Sequence, residues 1–313
     1  MWERSSCAAG LRRPVRSERR ATIFSASMTS QNQARLQLVF AALLFSTGGA
    51  AIKASTLTGW QVASFRSGVA AFTLLLLVPA TRRGWGWKPA LVGVTYAATL
   101  ILFVTANKLT TSANAIFLQA TSPVYLLLLG PLFLKEPVRR RDLLVVAAVL
   151  AGLVLFFVGN EAPVVTAPNP ARGNILALMS GLCFAVTIAG LRWLSRGSAD
   201  AGLATVALGN LIAFVWGLPF ALPVVSATGL DWVVILYLGA IQIGLAYACL
   251  TRGLRSVPAL EASLLLMVEP VLNPVWAWLV HGERPSHWAL LGGALIIGAT
   301  ATQAVVKARG EPA

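Results

Sequence analysis

Long apolar runs alternate with short polar breaks along almost the whole chain, and the runs have the length of a bilayer crossing. A helix rising 1.5 Å per residue needs about 20 apolar residues to cross roughly 30 Å of hydrocarbon. Ten runs meet this, at 36–53, 59–79, 89–107, 112–134, 142–158, 173–193, 202–223, 231–250, 258–280 and 287–306. No period-two alternation fills the gaps, and a segment in lipid must bond its own backbone groups, so the runs are predicted helices. The expected class is an all-α membrane protein with ten transmembrane helices. Composition agrees: 57% hydrophobic residues, 12% charged and a mean hydropathy of +0.74 lie well outside the range of a soluble domain.

The second half of the chain repeats the first. SANAIFLQATSPVYLLLLGPLFLKEP (Ser112 to Pro137) aligns with ALEASLLLMVEPVLNPVWAWLVHGERP (Ala259 to Pro285), about 147 residues further on. Pro123 corresponds to Pro270, and each is followed 13 residues later by a glutamate, Glu136 and Glu283. With a one-residue slip, Ala148 and Gly152 meet Ala294 and Gly298 in the next helix; upstream, Phe45 and Lys53 meet Phe184 and Arg192. An odd-span repeat laid twice into one bilayer takes opposite orientations, a mark of many secondary transporters. The predicted organisation is two inverted five-helix repeats, 35–159 and 172–306, followed by a short tail, 307–313.

Positive charge sets the orientation. With the N-terminus in the cytoplasm, most of the 25 Lys and Arg fall in inside segments. Lys53, Lys108, Arg172 and Arg284 fall outside, and Arg66 lies within a span. The bias survives removal of the N-terminal tail, so both ends are expected to be cytoplasmic. The net charge of +14 is therefore a topology signal, and its spread over separate loops argues against nucleic acid as a partner. The expected setting is a lipid bilayer, the bacterial inner (plasma) membrane. Residues 1–34 are polar, rich in Arg and Ser, and lack the apolar core of a secretory signal. Translation from Met28 is the preferred account of them, with a cytoplasmic tail or a transit peptide as the alternatives.

Chemistry-bearing motifs are sparse. Cys7, Cys183 and Cys249 are too scattered for a disulfide or metal framework, and His281 and His287 lack a partner at metal spacing. There is no phosphate-cradling loop and no legible Ser-His-Asp arrangement, so neither ATP-driven pumping nor hydrolysis is supported. No cofactor or metal is expected, and the chain is not read as an enzyme.

The paired halves resemble the EamA family of the drug/metabolite transporter superfamily. The resemblance rests on a helix rich in small residues, a mid-helix proline and a terminal glutamate. Here these are Ala113, Ala115, Pro123 and Glu136, then Ala259, Ala262, Pro270 and Glu283, with Gly152 and Gly298 in the following helices and Arg66 in SFRSGVAA. It covers roughly 36–158 and 173–306. It implies a ten-helix bundle whose first four helices in each half enclose a cavity while the fifth and tenth pack outside. It further implies export or exchange of small metabolites, amino acids among them, without ATP. An uptake permease of the same fold and a membrane scaffold or sensor that transports nothing are the alternatives. Ala148-x-x-x-Gly152 and Ala294-x-x-x-Gly298 have close-approach spacing for helix pairing, and whether that includes a homodimer stays open.

Polar side chains within spans are costly in lipid and so are the candidates for contact with a small-molecule substrate or for ion coupling. They are Arg66, Gln119, Glu269 and Asn273, the last four residues beyond Glu269 and on the same helix face. In the alignment Asn114 meets Glu261 and Ser122 meets Glu269. Tyr96, Trp216 and Tyr247 lie deeper than the other aromatics, which fall near span ends as an interfacial belt. Pro123, Pro270 and Pro274 interrupt helix hydrogen bonding and are the expected hinges. Glu269, about 16 Å along its helix, is expected either to couple protons, to meet a cationic group on the cargo, or to pair with Arg66 as a clamp.

Overall fold

The computed structural model describes residues 32–122, 124–125, 140–158, 163–195, 201–253, 257, 265–266 and 268–309. They are built from helices: α1 (Asn32–Ala54), α2 (Gly59–Leu77), α3 (Trp87–Leu109), α4 (Ser112–Gln119), α5 (Arg140–Val158), α6 (Pro170–Ser195), α7 (Ala201–Ala221), α8, α9 (Val268–His281) and α10 (His287–Arg309). α8 is α-helical over Gly229–Leu236, widens to a π-helix over Tyr237–Leu245 and returns to α-helix over Ala246–Gly253. Among the described residues there is no strand, only an isolated bridge between Val164 and Ala167. Six helices are long and apolar enough to cross a membrane, α1, α2, α3, α6, α7 and α8, while α5 and α10 contain the shorter apolar stretches Leu143–Leu155 and His287–Ala299. The expected fourth and ninth spans fall partly outside the described residues, as do Pro123, Glu136 and Glu261.

The distribution of polarity is that of a protein solvated by lipid. The outer surface carries large apolar side chains such as Phe72, Leu77, Trp216 and Val233, whereas the interior holds Ser64, Arg66, Thr99, Asn107 and Asn210, all buried. In water this arrangement would leave apolar patches exposed and polar groups desolvated; in hydrocarbon it is the favourable one.

Local sequence explains where the helices begin and end. Thr58 caps α2: its hydroxyl accepts from Gln61 N while the Gln61 side chain accepts from Thr58 N. Thr228 and Asp231 form the same reciprocal box at the start of α8. Thr111 caps α4, accepting from Asn114 N at 3.2 Å. α9 stops at Gly282, whose φ of 67° only glycine adopts without strain.

Packing joins the helices into one bundle. α2 lies against α7, α3 against α6 and α7, α4 against α6 and α9, α9 against α1, and α5 against α10. One apolar cluster, including Ile52, Leu74, Val104 and Leu238, ties α1, α2, α3, α7 and α8 together. A second, including Phe117, Leu118, Val149 and Ile296, ties α3, α4, α5, α6 and α10. Between helices in lipid, close fit replaces the hydrophobic drive. The clearest case is Gly152, where an added Cβ would sit 2.8 Å from the Gly292 carbonyl oxygen, so α5 and α10 touch backbone to backbone within one chain. Gly298 has open space around its Cβ position, and Ala294 is exposed.

Candidate functional site

Buried polar contacts seal one end of the bundle. Lys53, at the end of α1, places its Nζ 2.7 Å from Glu283 Oε1, and both side chains are 3% exposed. The same ammonium donates to the carbonyl oxygens of Thr110, at 2.8 Å, and Thr166. The other oxygen of Glu283 accepts from Ser112 N at 3.0 Å. Ser112 opens α4, where first-turn N–H groups lack intrahelical partners and the helix dipole favours an anion. The turn at Gly282 lets Glu283 reach this position: its N–H reaches back to Ala277 O while its side chain enters the bundle. His281 Nε2 lies 2.8 Å from Ala50 O, and Lys108 donates to Ser55 O.

Beside this pair, Asp231 locks two turns together. Its carboxylate accepts from Ser55 Oγ, Thr56 N and Thr56 Oγ1 in the α1–α2 turn, and from Thr228 N and Oγ1 at the start of α8. Gln61 Nε2 donates to Ala221 O at 3.1 Å, and Asn169 N donates to Leu109 O at 3.0 Å. The last residues of α1, α3, α7 and α9 therefore meet the first residues of α2, α4, α6 and α8 at a single level.

Deeper in the bundle lies a cavity of about 250 Å³, reached by residues of α1, α2, α3, α4, α6, α8 and α9. It gathers Arg66, Tyr96, Gln119, Tyr247 and Glu269, with Pro270 beside them. α7 packs behind α2 and supplies no lining residue, and neither do α5 and α10. Arg66 is buried, and among the described residues its Nε has no acceptor. Tyr96 and Tyr247 line the same space, and their rings meet edge to face with centroids 5.9 Å apart. Phe45 stands edge-on to Tyr247 at 5.1 Å. Gln119 Nε2 donates to Ser180 Oγ at 2.8 Å, and Ser180 donates on to Thr99 O at 3.1 Å.

The remaining sequence candidates lie elsewhere. Asn273 is buried between the cavity and the sealed end: a Cβ on Gly49 would come 2.6 Å from its Oδ1 and 2.9 Å from Ser112 Oγ. Trp216 is 67% exposed and sits in an apolar groove with Leu211, Pro219 and Phe220 on the outer surface. Trp216 faces outward because the other side of α7 is filled by α2 and α3. Pro274 is buried inside α9, one turn beyond Pro270. Pro123 lies outside the described residues.

Three features of the site were not drawn from the sequence. The Lys53–Glu283 ion pair joins a residue read as an outside charge to a residue read only as a repeat marker. Asp231 carried a signal that went unused, the Thr-x-x-Asp spacing of a capping box. Gln242 lines the cavity from the π-helical stretch, with Nε2 3.4 Å from Phe45 O. π-turns commonly occur at functional positions, and here the wider turn changes which α8 side chains face inward.

A helical bundle with lipid-facing apolar walls and an internal, mainly apolar cavity that holds a few polar and charged groups suits a membrane protein that handles small solutes. The chain belongs to the EamA-like transporter family, whose profile matches residues 34–158 and 171–302. It is therefore a multi-pass membrane transporter. It is 27% identical over 279 residues to the pseudopaline exporter CntI of Pseudomonas aeruginosa, covering 84% of this chain and 92% of that one. It is 25% identical over 198 residues to the uncharacterized transporter YetK of Bacillus subtilis, covering 60% of this chain and 58% of that one. In fold it matches a crystal structure with a TM-score of 0.61 at 20% identity, over 90% of this chain and 98% of the other.

Proposed function

We propose that this chain is a secondary transporter exporting a small metabolite or amino acid by alternating access. In this reading the cargo occupies the cavity between two inverted five-helix repeats in a bacterial inner membrane, with both chain ends in the cytoplasm. The observation that carries the reading is the cavity itself, which brings Arg66, Gln119 and Glu269 around one space beneath the end joined by the Lys53–Glu283 pair. Alternating access requires such a closure on one side of a central site.

Two further observations support it. Residues paired by the internal alignment meet at the cavity: Phe45 and Phe184 both line it, as do Ser122 and Glu269. That is the arrangement expected of halves related by an axis through the site. Charge also separates by end. Arg82 and Arg83 lie in the turn after α2 and Lys88 at the start of α3, opposite the sealed end, and Lys88 Nζ sits 5.7 and 5.2 Å from the Trp87 and Trp193 ring centroids. Basic and aromatic residues at that level suit a cytoplasmic membrane interface, which supports reading the sealed end as the outer one. Export as the direction follows a relative named as an exporter.

Metabolite profiling of cells and medium, with and without the protein, tests the proposal. One or more small metabolites are expected to fall inside and rise outside, and Glu269→Gln is expected to reduce that flux while Trp216→Ala leaves it unchanged. Profiles identical with and without the protein would refute it.

A further inference from the structure

At the sealed end the two lysines find acceptors within the chain, Lys53 in Glu283 and Lys108 in Ser55 O. The opposite end is different. There the turn after α2 and the start of α3 set out Arg82, Arg83, Trp85, Trp87 and Lys88, all exposed. Arg82 is used locally: its Nε and Nη2 donate to Leu75 O and Leu76 O at 2.5 and 3.0 Å, carbonyls left open where α2 ends. Trp85 Nε1 donates to Thr81 O at 2.6 Å and holds the turn in place. The ammonium of Lys88 lies 5.7 Å from the Trp87 ring centroid and 5.2 Å from that of Trp193, and the two rings meet at 62° with centroids 6.3 Å apart. Cation–π contact fixes where this charge sits, but the rings are neutral and do not compensate it. Among the described residues the side chains of Lys88 and Arg83 donate to no oxygen and pair with no carboxylate. Leading away from them, Trp87, Leu91 and Val94 follow one another on one face of α3 and are 70%, 57% and 54% exposed. Uncompensated cations above an apolar stripe complement a molecule with an anionic head and a hydrocarbon tail.

We propose that the start of α3 and the end of α6 bind an anionic phospholipid of the leaflet at that end, its phosphate against Lys88 and Arg83 and an acyl chain along Trp87, Leu91 and Val94. Charge selects the lipid: two uncompensated cations attract an anionic headgroup, whereas a zwitterionic one brings its own ammonium to the same place. The indoles contribute by position. Tryptophan favours the level of the headgroups, and a lysine held between two such rings stands at phosphate depth before the lipid arrives, so little side-chain freedom is lost on binding. The site also bridges two parts of the chain. Trp87 and Trp193 belong to different family-matched segments, 34–158 and 171–302. Below the rings those segments touch closely: a Cβ on Gly190 would sit 2.6 Å from Val92, and the Thr95 and Thr187 hydroxyls are 2.9 Å apart. A headgroup seated by both indoles therefore contacts both segments at their seam.

The test takes the purified full-length protein, delipidated in detergent, and titrates it with phosphatidylglycerol or phosphatidylcholine of identical chains while native mass spectrometry counts bound lipids. Each basic residue near the headgroup is worth roughly fivefold in affinity, so the wild type should bind its first phosphatidylglycerol at least about tenfold more tightly than phosphatidylcholine. Lys88→Gln and Arg83→Gln should each lower phosphatidylglycerol affinity about fivefold. Trp193→Leu keeps every charge and an apolar side chain, and should lower it roughly two- to fivefold. Phosphatidylcholine affinity should stay constant throughout, which reads whether the variants keep their fold. Arg172→Gln, removing an exposed cation at the sealed end, should change neither affinity. Equal wild-type affinities for the two lipids would overturn the site, a comparison that needs no variant to fold. So would a selectivity that survives Lys88→Gln with Arg83→Gln. Displacement of the lipid by water-soluble glycerol 3-phosphate, as efficient as by phosphatidylglycerol itself, would overturn the assignment to a lipid.

Discussion

Removing the charge of Glu283 is expected to open the sealed end. In the structure the carboxylate does two jobs, pairing with Lys53 at 2.7 Å and accepting from Ser112 N at 3.0 Å, with both charged side chains 3% exposed. Breaking a buried pair by removing one partner costs about 3–5 kcal/mol, because the surviving charge stays desolvated. The loss of a charge-assisted bond at a helix N-terminus is part of that figure and not an addition to it, since the three groups form one network. Under the alternating-access proposal the penalty falls only on the closed-end state. At about 1.4 kcal/mol per tenfold, 3 kcal/mol moves the ratio of closed to open by roughly a hundredfold. A suitable reporter is Ala50→Cys, one helical turn below Lys53 and buried, its carbonyl oxygen 2.8 Å from His281 Nε2. Placed in a background with Cys7, Cys183 and Cys249 replaced, it should label slowly with a membrane-impermeant maleimide in the otherwise native chain. With Glu283→Gln the labelling rate should rise at least tenfold. The double variant Lys53→Met/Glu283→Leu removes both charges and should label more slowly than the single variant, since no orphaned ammonium remains. Equal labelling rates for Glu283→Gln and the native pair, in protein of equal thermal stability, would refute the assignment of closure to this contact.

Two other outcomes are expected. Gly282→Ala should destabilise the purified protein by about 1 kcal/mol, read as a lower Tm, because its φ of 67° strains any residue with a Cβ; it should also raise labelling at Ala50→Cys, since that turn aims Glu283. Single cysteines at Val165 and Trp87, both well exposed, should label from opposite faces of the membrane, Val165→Cys from outside; labelling of both from one face would refute the topology.

What the sequence disclosed and what it withheld differ by the range of the physics involved. Helix positions depend on the run length of apolar residues and on capping groups within four residues, so α2, α3 and α7 appear close to the expected spans 59–79, 89–107 and 202–223. The cavity residues Arg66, Gln119 and Glu269 were visible because a polar group is anomalous in an apolar run wherever its partners are. Facing is different. Trp216 and Tyr247 look alike in sequence, each an aromatic well inside a span, and the faces of α7 carry almost no amphipathic signal because lipid and protein interior are both apolar. Only the packing of α7 against α2 and α3, and the π-turn in α8, sends one ring outward and the other into the cavity.

The Lys53–Glu283 pair was hidden for a further reason. Its partners are 230 residues apart, and each had a sufficient local explanation, an interfacial lysine and a helix-end glutamate. Yet both were already marked by the duplication: Lys53 aligns with Arg192, and Glu283 with Glu136. Alignment marks residues that recur in both halves, whereas inversion puts the copies at opposite faces of the membrane. If the repeats are inverted, Arg192 and Glu136 fall at the end opposite the sealed one, as Lys53 and Glu283 fall at this one. Under the alternating-access proposal each end needs a closing contact, and a duplication would offer the second from the residues aligned with the first. Charge reversal at Glu136 should therefore perturb opening at the opposite end and leave Ala50→Cys protected, and a rise in its labelling as large as that from Glu283→Gln would argue against separate closures.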